Sequence, residues 1–205
     1  MNFPVLTSVL IFVVILTIFN HRNSKIRKQK LDDYYKKEQQ ANFVRKKSLD
    51  DLEYISIPLD EFPMDVATDH AIIQDCIKTI QSLSSEKIVN FTGYTNTDLK
   101  LAYGTANITS LTQYDLNYTL FVRTLQSWGK ELYQLGYKKE AQTVLEYAIK
   151  TRTDISGSYY LLASIDKESG QENKIKHLLL VAETLQSAMK NSIVHTLKES
   201  YPDIC

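Results

Sequence analysis

The apolar positions of this chain predict helices along most of its length. Residues 3 to 19 read FPVLTSVLIFVVILTIF, 17 residues without a charge, which approaches the ~20 residues that an α-helix needs to cross a membrane. Farther along, apolar residues recur at intervals of three and four, the spacing of one buried stripe on a helix. Such stripes cover residues 72 to 83 and residues 111 to 135. The pattern predicts an all-α protein.

The apolar N-terminal run is predicted to stay in the protein as a transmembrane anchor over residues 1–20. A cleaved signal peptide is the main alternative, but such a peptide begins with Lys or Arg, and residues 1 to 20 contain neither. No cleavage site of small residues follows the run either, since the chain continues directly into Asn20, His21 and Arg22.

Charge is unevenly distributed, although its total is balanced. The chain has 24 Lys and Arg against 24 Asp and Glu, but residues 21 to 47 contain ten basic and three acidic residues, which leaves an acidic excess elsewhere. Basic residues beside a membrane stay on its cytoplasmic side. We therefore expect a single-pass protein of the cell membrane, with its N-terminus outside and its C-terminal domain cytoplasmic. The basic segment is either this topology signal alone or also a contact with anionic lipid.

Residues 21–62 are predicted to form a basic juxtamembrane helix or linker. Up to residue 47 the composition is that of a polar helix or a loosely ordered stalk. Pro58 and Pro63 favour extended backbone before them, so residues 48 to 67 are predicted to form an irregular or extended segment that docks Ile55, Ile57, Leu59 and Phe62. The folded domain then covers residues 63–205, which is long enough to bury one core.

A period of about 34 residues is the strongest signal in that domain, because fixed periods of this size mark stacked helical units. The residues that it superposes are Leu125 with Tyr159, Trp128 with Leu162, Gly129 with Ala163, Gly136 with Gly170, Ala141 with Ile175, Leu145 with Leu179, and Ala148 with Ala182. The small residues permit helices to cross closely, and the glycines end helices. Two units, each of two antiparallel helices, are predicted over residues 122–155 and 156–189.

This pattern resembles the tetratricopeptide repeat (TPR) family. The residues that carry the resemblance are Trp128, Gly129, Leu132, Gly136, Ala141, Leu145 and Ala148. The second copy is less regular, with Asp166 in place of the apolar residue that matches Leu132, and neither copy keeps the proline that often closes the unit. The layout is also similar to small membrane-anchored TPR proteins of Gram-positive bacteria. The resemblance implies a short α-solenoid, and an apolar stripe near the C-terminus predicts a capping helix over residues 185–201.

The resemblance also implies a groove that binds a partner, lined by the first helix of each unit. The candidate residues are Arg123, Gln126, Lys130, Tyr133 and Gln134 from the first unit and Tyr160, Ser164 and Lys167 from the second. Aromatic, basic and amide side chains of this kind suit an extended peptide or a partner helix. Alternatively, the groove holds the chain's own upstream segment, residues 52 to 64.

No pattern in the sequence indicates catalysis. None of the four histidines has a second His or Cys at metal-ligand spacing, Cys76 has no base nearby, and no glycine-rich phosphate loop is present. We expect no catalytic residue, no cofactor and no metal. The prediction is a non-enzymatic, membrane-anchored adaptor for a protein or peptide partner, not for nucleic acid or a small-molecule substrate. The alternative is a structural or assembly subunit of a membrane protein complex that acts through its transmembrane helix.

Overall fold

The protein is helical throughout its regular structure. The computed structural model describes residues 3 to 204, except for the side chains of residues 3–6, 9 and 10. Within this range the α-helices are α1 (Phe3–Asn42), α2 (Ala71–Leu83), α3 (Asn96–Tyr103), α4 (Ile108–Gln134), α5 (Lys138–Lys150), α6 (Ser156–Glu168), α7 (Glu172–Glu183) and α8 (Lys190–Ser200). Short 3-10 helices lie at Leu59–Glu61 and Thr105–Asn107, and this range contains no strand. The predicted all-α class is confirmed.

The chain forms two compact units. One contains the residues up to 47 together with residues 95 to 108, and the other contains residues 48 to 94 together with those from 109 on. The predicted boundaries after residues 20 and 62 stay predictions.

In the first unit, the short helix α3 packs against the C-terminal end of the 40-residue helix α1. Thr95 and Asp98 begin α3 with a capping box, in which each side chain bonds the backbone N–H of the other residue. Ala41 of α1 is fully buried. Of the two forms predicted for the segment after residue 20, the structure therefore has the helix as far as Asn42.

The second unit contains two helical hairpins with the same turn. The turns from α4 to α5 and from α6 to α7 contain Gly136 at φ 89° and Gly170 at φ 69°, a region of backbone conformation that favours glycine. In both turns the residue after the glycine donates its N–H to a carbonyl five residues earlier, which closes the helix end. The ends of α4 and α6 are separated by one sequence period, and so are the starts of α5 and α7.

The core of this unit follows the predicted apolar positions. Trp128, Leu162, Ala163 and Ala182 are buried. A methyl group at Gly129 would lie 2.7 Å from the side chain of Leu145, so the missing side chain permits α4 and α5 to touch there.

The irregular segment before α2 joins this core. Phe62 is 6% exposed, and its ring lies 5.7 Å from that of Trp128 and 5.2 Å from that of Tyr147, between centroids. The Tyr147 hydroxyl donates a hydrogen bond of 2.5 Å to the carbonyl of Ser56. Residues 55 to 64 are therefore fixed on α4 and α5 by both apolar and polar contacts.

One predicted helix agrees with the observed one, and another differs in extent. The apolar stripe predicted over residues 111 to 135 corresponds to α4, which begins at Ile108 and so starts before the predicted first unit at residue 122. The predicted capping helix is shorter than expected, since α8 begins at Lys190 and the chain from Leu185 to Met189 is not α-helical.

Among the residues that the structure describes, no helix has a stretch long and apolar enough to cross a membrane. The predicted anchor over residues 1–20 falls partly outside this set, which omits residues 1 and 2 and the side chains of 3–6, 9 and 10.

Candidate functional site

The residues predicted to bind a partner lie on α4 and α6 of the second unit. Arg123, Lys130, Gln134 and Lys167 are exposed, and Gln126, Tyr133, Tyr160 and Ser164 are partly buried. The structure brings some of them together through residues that the sequence did not single out.

Glu168, at the end of α6, joins several of these residues. Its Oε1 accepts hydrogen bonds from the Tyr133 hydroxyl at 2.7 Å and from Ser164 Oγ at 3.4 Å, and its Oε2 pairs with Lys138 Nζ at 2.7 Å. The bonds from Lys138 and Tyr133 hold the pKa of Glu168 below its ordinary value. The bond to Glu168 also raises the pKa of the Tyr133 hydroxyl, because ionising it would place two negative charges together.

Sequence reasoning missed Glu168, although one signal for it was present. Glu168 follows Tyr133 by 35 residues, one more than the repeat period, and residues so spaced lie beside each other on the first helices of neighbouring units.

Gln126 makes the second link between α4 and α6. Its Oε1 accepts a hydrogen bond of 2.6 Å from Ser158 Oγ. A methyl group at Gly157 would lie 2.8 Å from Gln126 Nε2. The first turn of α6 therefore leaves room for the glutamine amide.

The remaining predicted residues make no hydrogen bond or ion pair with one another in the part of the chain that the structure describes. Lys167 pairs with Glu172 at 2.5 Å, and the Tyr160 hydroxyl donates a 3.5 Å hydrogen bond to the carbonyl of Ser192. Arg123, Lys130 and Gln134 make no side-chain hydrogen bond or ion pair within residues 3 to 204. These three exposed side chains on α4 are available to a partner.

Arg123 also lines a cleft of about 360 Å³. The cleft lies between the loop at 91–94, the face of α4 that carries Asp115, and the loop at 154–155. Burial raises the pKa of Asp115, and a hydrogen bond from the Phe91 backbone opposes the effect. Asp154 accepts a 2.6 Å hydrogen bond from Ser187 Oγ. The cleft thus presents one basic and two acidic side chains.

A hydrogen-bond network fixes the backbone around this cleft. Asn90 Nδ2 donates to the Tyr118 hydroxyl at 2.9 Å and to the Thr151 carbonyl at 3.1 Å, and the Tyr118 hydroxyl donates to the same carbonyl at 3.1 Å. Burial raises the pKa of Tyr118, so the phenol stays a donor. The next residue along the chain from Thr151, Arg152, has φ 59°, and its carbonyl also accepts from Asn90.

Carboxylate, histidine and cysteine side chains are the groups through which this chain would hold a metal ion or supply a nucleophile. In the described part of the chain, no three or more His, Cys, Asp and Glu side chains form a group that could hold a metal ion. Burial raises the pKa of the Cys76 thiol, which favours the thiol over the nucleophilic thiolate.

No protein-family model, curated protein or solved structure matches this chain. The resemblance to the TPR family therefore stays a prediction.

Proposed function

We propose that this protein is a membrane-anchored, non-enzymatic adaptor whose TPR-like helical domain binds a protein or peptide partner. The observation that carries the proposal is the exposure of apolar side chains on α1. From Ile11 to Phe19, every large apolar side chain is exposed, by between 43% and 62%. An exposed apolar surface of this size on all sides of a helix is stable only when lipid or another protein covers it.

The basic residues after Phe19 favour lipid over another protein as the environment of these exposed apolar side chains. Arg22, Lys25, Arg27, Lys28 and Lys30 follow Phe19 closely, and all of them are exposed on α1. This arrangement supports a single-pass anchor in the cell membrane, with the N-terminus outside and the remaining chain in the cytoplasm. Anionic lipid headgroups are a second contact for the basic residues nearest Phe19, Arg22 and Lys25.

The proposed partner surface lies on α4 and continues to α6. Arg123, Lys130 and Gln134 supply polar groups without partners of their own in the described chain. Tyr133 and Gln126 are held in place by Glu168 and Ser158, so little side-chain entropy is lost when a ligand contacts them. The two helical hairpins share the same turn geometry. Such repetition is expected of a short α-solenoid and supports this part of the proposal.

The exposed apolar residues of α1 support one alternative. In a structural or assembly subunit, these residues would pack against the transmembrane helices of other proteins, and the surface on α4 would have no ligand.

Capture from native membranes distinguishes the two functions. The full chain carries a C-terminal tag, and partners recovered with it are compared between wild type, R123A/K130A, and the matched control K78A on the exposed side of α2. We expect one partner that R123A/K130A loses at least tenfold and K78A retains. Protease access to the tag from the cytoplasmic side tests the orientation. The adaptor is rejected in favour of the subunit if capture survives R123A/K130A but not replacement of residues 3 to 19 with an unrelated apolar sequence.

A further inference from the structure

One face of α1 is already a docking surface for a helix. Lys37 pairs with Asp98 of α3 at 2.7 Å, and Glu38 accepts hydrogen bonds from Thr97 and Lys100 of α3. Together with the buried Ala41, these contacts use only the last turns of α1. They show that this face holds a short helix by complementary charges.

Toward the N-terminus of α1, the side chains on the same face are exposed. Tyr34 and Leu31 precede Glu38 by four and seven residues, and residues at these intervals lie above one another on a helix. Leu31, Tyr34 and Tyr35 are 52%, 55% and 56% exposed. The two tyrosine rings are 5.8 Å apart between centroids, and a shallow groove of about 260 Å³ extends along this face through Ser24, Arg27, Lys28 and Leu31.

The charge beside the uncovered face is basic. Arg27 and Lys28 line its groove, and they precede Leu31 by four and three residues, which places them on its side of the helix. Asp33 follows Leu31 by two residues and therefore points away from this face, whereas Asp32 follows Lys28 by four residues and lies at the edge of the face.

We propose that this face of α1, formed by Arg27, Lys28, Leu31, Tyr34 and Tyr35, docks an acidic amphipathic helix of a partner protein. The face continues the interface with α3, and the occupant extends it toward the membrane: its apolar side covers Leu31 and the tyrosines, and its carboxylates pair with Arg27 and Lys28, as Asp98 pairs with Lys37. The inference rests on the proposed function, because it gives the proposed adaptor a second docking surface, on the helix that carries the anchor.

A lipid surface fits this face less well than a protein does. Tyr34 lies 15 residues after Phe19, which is about 22 Å along a helix with a rise of ~1.5 Å per residue. The headgroup layer on one side of a membrane is only about 5 to 8 Å thick. A second copy of the chain also fits poorly, since two parallel copies would bring their basic residues together.

Photo-crosslinking in native membranes tests this proposal. A photoreactive phenylalanine replaces Leu31, Tyr34 or Tyr35 in the full chain, and it replaces Asp33 or Lys36, on the far side of α1, in control chains. We expect crosslinks from the first three positions to an acidic helical segment of another protein, identified by mass spectrometry, at a yield at least fivefold above that of the controls. R27E/K28E should lower this yield at least fivefold, whereas R22E, on the opposite side of the helix from Leu31, should not.

Other results would overturn the inference. Crosslinks to a second copy, to lipid alone or to a segment without acidic residues would each assign the face to another occupant. Equal yields at all five positions, or no crosslinks, would show that the face is not a specific surface. If R27E/K28E leaves the capture that depends on Arg123 and Lys130 unchanged and no crosslink forms, this inference fails while the proposed function stands.

Discussion

Gln142 Nε2 donates a hydrogen bond of 2.8 Å to Oδ1 of Asp166, and Asp166 is only 1% exposed. Asp166 occupies the buried position that Leu132 fills one repeat earlier. Its other oxygen, Oδ2, has no hydrogen-bond partner within the described residues. Burial therefore raises the pKa of Asp166 to about 6, although the charge of Lys174 and the bond from Gln142 oppose the shift.

This carboxyl group should make the protein less stable as the pH rises. Its pKa is about 6 in the folded state against 3.8 ordinarily, so between these values the folded state binds more protons than the unfolded state. The free energy of unfolding therefore falls from about pH 4 to about pH 6. We expect D166N to be more stable than wild type by about 1 to 2 kcal/mol at pH 7, after the cost of an unpaired amide.

Urea unfolding across this pH range measures the effect. The difference between D166N and wild type should grow up to about pH 6 and then stay level. The control D75N removes an exposed carboxylate on α2 and shows whether the profile is specific to position 166. A difference that is constant from pH 4 to pH 8 would mean that Asp166 is not the titrating group.

The contact between Gly129 and Leu145 should be sensitive to one added methyl group. In G129A the new Cβ would lie 2.7 Å from Leu145 Cγ, and the resulting strain should cost about 1 to 3 kcal/mol. Shortening the opposing side chain makes room, so the same substitution in an L145A background should cost less than about 0.5 kcal/mol. A double-mutant cycle by chemical denaturation gives both values, and additive costs would contradict the close approach of α4 and α5.

The sequence predicted the parts of the fold that depend on local spacing. Apolar residues at helical intervals located α2 and α4, and the matched glycines at 136 and 170 located the two equivalent turns. These signals lie within one helix or one turn. The docking of Phe62 was predicted, but its contact with Trp128 and the docking of α3 on α1 were not, because each joins residues more than 55 positions apart. The link from Tyr133 to Glu168 was missed because the repeat was located from apolar, small and glycine positions, and Glu168 is none of these.

Glu168 should control the acidity of Tyr133. The hydrogen bond to the Glu168 carboxylate is the main cause of the raised pKa of the Tyr133 hydroxyl, so in E168Q this pKa should fall toward its ordinary value. NMR of tyrosines labelled with ¹³C at Cζ follows the titration, and Y133F identifies the signal. The control E172Q, at an exposed glutamate that pairs with Lys167 instead, should leave it unchanged. The bond to Glu168 is refuted if Tyr133 titrates alike in E168Q and wild type.

Phe62 should determine whether the extended segment before α2 is part of the folded domain. The ring is buried against Trp128 and Tyr147, so F62A should destabilise the protein by about 3 to 4 kcal/mol, and F62L, which keeps most of the apolar volume, by less. The chain has one tryptophan, so the fluorescence of Trp128 reports unfolding and also the environment that Phe62 provides. A cost below about 1 kcal/mol in F62A would mean that residues 55 to 64 can leave the core.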